Sequence, residues 1–114
     1  MSRVAFIHNA LGKTDGVSLE VDKWRVVLER MGHEVFYCAG NDDVEGVFCI
    51  PELSFNHPVT YKILRNATVK LTDYNSEEEL KREIEGQART LKKDIINFIR
   101  ENKIEVLIPN NLLS

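Results

Sequence analysis

Four short, unbroken apolar runs constrain this chain more than any other feature. Val4-Ala5-Phe6-Ile7, Val35-Phe36-Tyr37-Cys38-Ala39, Val47-Phe48-Cys49-Ile50 and Val106-Leu107-Ile108 are each bounded by polar or turn residues. Strands buried on both faces have this pattern, because a face that meets water alternates with polar residues. Between the runs lie stretches of helical spacing. Val17, Val21, Trp24, Val27, Leu28 and Met31 form one apolar stripe, and Leu80, Ile84, Ala88, Leu91, Ile95, Phe98 and Ile99 form a second. Apolar strands alternating with helices imply βαβ crossovers. The expected fold class is α/β: a Rossmann-like three-layer domain with a mainly parallel sheet.

Local signals sharpen that outline. Gly32 ends the first helix, where other residues resist the left-handed conformation. Ser76 is placed to cap the last helix, with Glu77, Glu78 and Glu79 at its positive end and Lys92, Lys93, Arg100 and Lys103 in its later turns. Pro51 and Pro109 stop the third and fourth strands. Residues 52–75 leave two possibilities open. Pro58 opens a helix carrying Tyr61, Ile63 and Leu64, or Val69-Lys70-Leu71 belongs to an excursion that covers the sheet. The 114 residues make one domain, 1–114. Its last strand runs straight into Asn110-Asn111-Leu112-Leu113-Ser114 with no helix to follow, so the chain is expected to be part of a longer polypeptide.

Composition excludes several classes. The net charge is −3 with acids and bases mixed, without the basic face of a nucleic-acid module. No apolar run is long enough for a transmembrane segment. The stretch after Arg3 is too short for a signal-peptide core, so a cytoplasmic location is expected. Cys38 and Cys49 lie in apolar runs without metal-ligand spacing and are expected to be buried, reduced thiols.

In an open parallel sheet, ligands bind beyond the carboxyl ends of the strands. That rule selects His8 to Gly16, Gly40 to Asp43 and Pro109 to Asn111. Backbone N–H groups of Gly16, Val17 and Ser18 open a helix and suit an anion, with the Ser18 hydroxyl as a further donor. The position alone leaves open that Asp15 merely caps the helix and Gly16 serves the turn. His8 and Asn9, with Asn110 and Asn111, are the substrate-binding candidates, a structural His8 remaining an equal alternative. His33, in a helix–strand turn at the other edge, is expected to be structural, and His57 to precede a helix. Trp24 is assigned to the core stripe. The residues define no acid–base pair and no metal cluster. Gly12-Lys13-Thr14-Asp15-Gly16 has the wrong spacing for a dinucleotide fingerprint. Gly12-Lys13-Thr14 matches the end of a phosphate loop, but the opening glycine would fall on Ile7.

Arg3-Val4-Ala5-Phe6-Ile7, Asp15-Gly16-Val17 and Leu28-Glu29-Arg30-Met31-Gly32-His33-Glu34-Val35 resemble, in order, the opening of family-4 glycosyltransferases of the GT-B fold. Ile104-Glu105-Val106-Leu107-Ile108-Pro109-Asn110 is similar to a later strand of that family. The resemblance implies the amino-terminal, acceptor-side domain of a retaining enzyme that uses a nucleotide-diphosphate sugar and no further cofactor. It places the donor phosphates at Asp15, Gly16, Val17 and Ser18, and implies a partner carboxy-terminal domain of the same chain. Two departures stand out. The family's paired glycine is Asp15-Gly16 here, and its frequent histidine after the fourth strand is replaced by Asn110 and Asn111. A stand-alone module that binds a phosphorylated metabolite without chemistry is the alternative from a different class.

Overall fold

The computed structural model describes residues 1–12 and 16–110, with the backbone alone at 16 and 17. The elements run β1 (Arg3–His8), α1 (Gly16–Arg30), β2 (Glu34–Ala39), β3 (Phe48–Cys49), a 3-10 turn (Pro51–Leu53), α2 (Pro58–Thr68), α3 (Glu77–Asn102) and β4 (Val106–Pro109). The sheet order is β3-β2-β1-β4, and every pairing is parallel. The expected α/β class and layering therefore hold. β1 lies centrally, pairing Ile7 with Cys38 on one side and with Pro109 on the other.

Alternation along the central strands sorts side chains into two cores. Ala5, Ile7 and Cys38 pack with Ile50, Leu53 and Phe98 on the α3 side. Phe6 and Ala39 pack with Leu11 and Val21 on the α1 side. Helices thus cover both faces, as right-handed crossovers require of a parallel sheet.

Helix boundaries follow the capping signals. Gly32 has φ +90, with His33 N–H donating to Leu28 O and Gly32 N–H to Glu29 O, the pair of bonds that closes a Schellman end. Ser76 accepts from the Glu79 N–H at 3.2 Å, as its position predicts. Pro58 does open a helix. The Val69-Lys70-Leu71 excursion covers nothing, since Val69 is 79% exposed. Instead the buried Asn66 pins the following turn: its Oδ1 accepts from Thr72 and Asp73 N–H, and its Nδ2 donates to Lys62 O and Asp73 Oδ2.

Several burial expectations need correction. Trp24, Val27 and Met31 are exposed, as is Leu19. The inward line of α1 is Ser18, Val21, Arg25 and Leu28, and the line of Trp24, Val27 and Met31 lies roughly 100° around the helix from it. Ile84 and Ala88 are exposed because 26 residues of α3, about 39 Å, outrun strands of six residues. There Gln87 Nε2 reaches Thr60 Oγ1 of α2 instead. β4 is half-exposed, not fully buried, and Pro109 belongs to it because an edge strand tolerates a missing donor. Cys38 is buried, but Cys49, on the edge strand β3, is exposed. Burial pushes the Cys38 thiol up to about 12 and also raises that of Cys49, with Asp42 and Glu52 adding to it. Neither is primed as a nucleophile at neutral pH.

At the amino edge of the sheet His33 is structural, its Nδ1 accepting from the Ser2 N–H at 3.0 Å. Arg3 ties the same edge together, donating to Asn102 O and lying 3.6 Å from Glu34.

Candidate functional site

The carboxyl edge is where β1, β2 and β4 end together. His8 follows Ile7 as the last residue of β1 and is 5% exposed. Its Nδ1 lies 3.1 Å from the Asn110 carbonyl oxygen. A carbonyl only accepts, so Nδ1 carries a proton and donates it to this contact, and Nε2 is the ring's other polar atom. Asn110 N–H in turn donates to Ile7 O at 2.8 Å. The structure brings His8 and Asn110 together, a contact that sequence reasoning did not specify, and it occupies Nδ1 of the ring.

Asn9 contributes through its backbone. Its carbonyl accepts from the Gly40 N–H at 3.0 Å, tying the ends of β1 and β2. Gly40 is hemmed in by the turn after β3. A Cβ there would sit 2.6 Å from Asn9 O and closer still to Ser54 N. The segment around Ser54 thus lies directly over the ends of β1 and β2.

Sequence reasoning selected the Gly40–Asp43 segment without singling out Asn41, which does most of the positioning. Its Oδ1 accepts from the Leu11 N–H at 2.9 Å, and its Nδ2 donates to Leu11 O at 2.7 Å and Asp43 Oδ2 at 2.9 Å. One side chain thus saturates both backbone groups of Leu11 and joins the β1–α1 loop to the β2–β3 loop. The only signal in the sequence is an amide directly after a strand-ending glycine. Asn41→Ala is expected to cost about 2 kcal/mol, for three lost hydrogen bonds partly replaced by water. Urea unfolding checks the stability. Faster proteolysis within residues 9–16 checks that the loop has loosened.

Of the donor-loop candidates, Gly16, Val17 and Ser18 open α1, and Ser18 is 8% exposed. Asp15 lies outside the described residues, as do Lys13, Thr14 and Asn111. The first turn of α1 carries the positive end of the helix dipole and faces the same edge as His8. Beside that turn lies a cavity of about 230 Å³, with Leu11, Ser18, Val21, Asp22, Tyr37 and Val44 in its wall. Burial raises the Tyr37 phenol above its ordinary value, against the opposing pull of Arg25, so it stays protonated and able to donate. Among the described residues no group of three or more His, Cys, Asp or Glu side chains could hold a metal ion, and no helix is long and apolar enough to cross a membrane.

A four-stranded, all-parallel sheet with helices on both faces is the architecture of a Rossmann-like domain. The chain is 35% identical over 117 aligned positions to mannosylglucosylglycerate synthase of Thermotoga maritima, an alignment that takes in 98% of this chain and 26% of that protein. It is 29% identical over 112 positions to mannosylglucosylglycerate synthase of Petrotoga mobilis, covering 97% of this chain and 25% of that protein. The chain thus spans about a quarter of the length of the curated relatives it matches. No family model and no solved structure matches it.

Proposed function

We propose that this chain is the amino-terminal, acceptor-side domain of a retaining glycosyltransferase of the GT-B fold, acting on a nucleotide-diphosphate sugar. The observation that carries this is the 35% identity, running over 98% of the chain, to a synthase whose name specifies a mannosyl-glucosyl product. The geometry is compatible with it, because the expected ligand edge is the one built with care: His8 oriented by Asn110, Leu11 fixed by Asn41, and the start of α1 beside them.

In this reading the donor diphosphate rests against the first turn of α1, at Asp15, Gly16, Val17 and Ser18. As the sugar–phosphate bond breaks, charge builds on the diphosphate, and a fixed helix end stabilises it without reorganisation. His8 Nε2 and the amides of Asn9, Asn110 and Asn111 hold acceptor hydroxyls by hydrogen bonds. The remaining donor contacts come from a second domain in the longer chain, whose closure excludes water. No metal or organic cofactor enters the scheme.

The test uses the full-length polypeptide, a panel of nucleotide-diphosphate sugars and sugar-acid glycosides as acceptors. Release of nucleoside diphosphate is followed by a coupled assay, and the product's anomeric configuration by proton NMR. Acceptor-dependent release with retained configuration is expected. An inverted product would overturn the retaining mechanism. Binding of a phosphorylated metabolite with no transfer from any donor would move the chain to the class of non-catalytic binding modules.

A further inference from the structure

The cavity beside α1 has a chemistry of its own. At about 230 Å³ it is smaller than the roughly 300–1,000 Å³ pockets that hold drug-sized ligands. One six-membered sugar ring is within that size. Its walls divide in two. Leu11, Val21 and Val44 offer apolar surface. Tyr37 adds an aromatic ring, braced by Phe6 at a centroid distance of 6.4 Å, and a phenolic donor. The wall also carries Asp22. A pyranose has the matching division, with C–H patches on its faces and hydroxyl groups around its rim.

Charge narrows the choice of ligand. Among the described residues the ionised side chain on the wall is Asp22, so a phosphate or a carboxylate seated against it meets like charge. Arg25 does not reverse this. It donates to Asp22 Oδ1 through Nη2 at 2.9 Å and Nε at 3.2 Å, and to Glu29 Oε2 through Nη1 at 3.0 Å. One cation shared by two carboxylates leaves the cluster negative. Both bonds to Asp22 land on Oδ1, which leaves Oδ2 unpaired among the described residues and able to accept from a sugar hydroxyl.

We infer that this cavity is the subsite for one uncharged hexopyranose ring of the acceptor, with the Asp22 carboxylate and the Tyr37 phenol as its polar partners. The inference rests on the transferase reading: the neutral ring occupies the cavity, and the donor diphosphate stays at the first turn of α1, where Ser18 borders the cavity.

Two variants of the full-length polypeptide test it. Asp22→Asn removes the charge and keeps the shape. Leu19→Trp, at a half-exposed helix position on the cavity wall, fills the space without disturbing the core. Both are expected to raise the acceptor KM at least tenfold and to leave the donor KM unchanged. Methyl α-glucopyranoside and methyl α-mannopyranoside are expected to shift the amide signals of Leu11, Val21, Tyr37 and Val44, and inorganic phosphate and glycerate to leave them in place. An unchanged acceptor KM in both variants, or phosphate moving those amides as strongly as the glycosides, overturns the subsite. Transfer without glycoside shifts removes the subsite and keeps the transferase. Glycoside shifts without any transfer keep the sugar site and remove the transferase.

Discussion

Gly40→Ala is expected to prevent stable folding, although it adds a single methyl group. Gly40 follows β2 directly, and its N–H is bonded to Asn9 O. The methyl carbon would sit 2.6 Å from that same oxygen and 2.7 Å from Ser54 Cα, with Ser54 N closer still. All three are backbone atoms, so no rotamer change relieves the overlap. The strand end, the β1 end and the turn after β3 must move apart, at a cost of upwards of ~3 kcal/mol, the top of the range for overpacking. That is a large share of the stability of a domain this size. Gly86→Ala is the matched control. It lies inside α3, where an added Cβ meets only the far end of Arg89 at 3.9 Å, and the better helix former is expected to add about 1 kcal/mol. Urea unfolding followed by circular dichroism reads both. Equal midpoints for the two variants would show that the Gly40–Ser54 contact is not as close as described. The prediction also bears on function, because the backbone that Gly40 admits lies over the edge carrying His8 and Asn41.

Legibility from the sequence divides along a physical line. Features written in local chemistry came through: the Gly32 helix end, the Ser76 cap, the Pro58 helix start, the apolar run of β1, which is buried on both faces, and that of β2, buried at Cys38 and Ala39 and half-buried before them. Features that depend on what a residue meets from elsewhere did not. Cys49 has the same apolar neighbours as Cys38, yet it is exposed because β3 is a two-residue edge strand. Asn66 is polar inside a helix, and nothing near it shows that residues 72 and 73 fold back onto it. The site shows the same division. His8 and Asn110 were legible because strand ends in a parallel sheet are candidate positions whatever their partners. Asn41 became visible only when Leu11 appeared opposite it, and Tyr37 only when the space beside α1 did. These missed features are contacts between segments at least six residues apart or consequences of position at an edge. Periodicity carries no information about either.

The sharpest case is the choice of face on the helices, and Phe98→Ala against Trp24→Ala puts a measurable difference on it. Both aromatics sit on apolar stripes of similar spacing, and the stripe alone treats them alike. The structure does not. Phe98 is 1% exposed and meets Phe48 at a centroid distance of 5.1 Å, within the cluster of Ala5, Ile7, Cys38, Ile50 and Leu53. Truncating it removes the largest side chain of that core and leaves a void that close-packed neighbours fill only in part, at a cost of about 3–5 kcal/mol. Trp24 is 53% exposed and gives up far fewer contacts, so its loss is expected to cost less than about 1 kcal/mol. Equilibrium urea unfolding of the two variants measures the difference directly. A Trp24→Ala cost equal to that of Phe98→Ala would mean that the outer line of α1 is covered by protein, and the face assignment of that helix would have to be reversed. A small cost leaves the Trp24–Val27–Met31 line as solvent-facing surface. The anchoring of α1, and with it the position of its first turn at the carboxyl edge, then rests on Val21 and Leu28. The geometry proposed for the donor phosphates therefore depends on the inner stripe of one helix, and this pair of substitutions tests whether that stripe has been identified correctly.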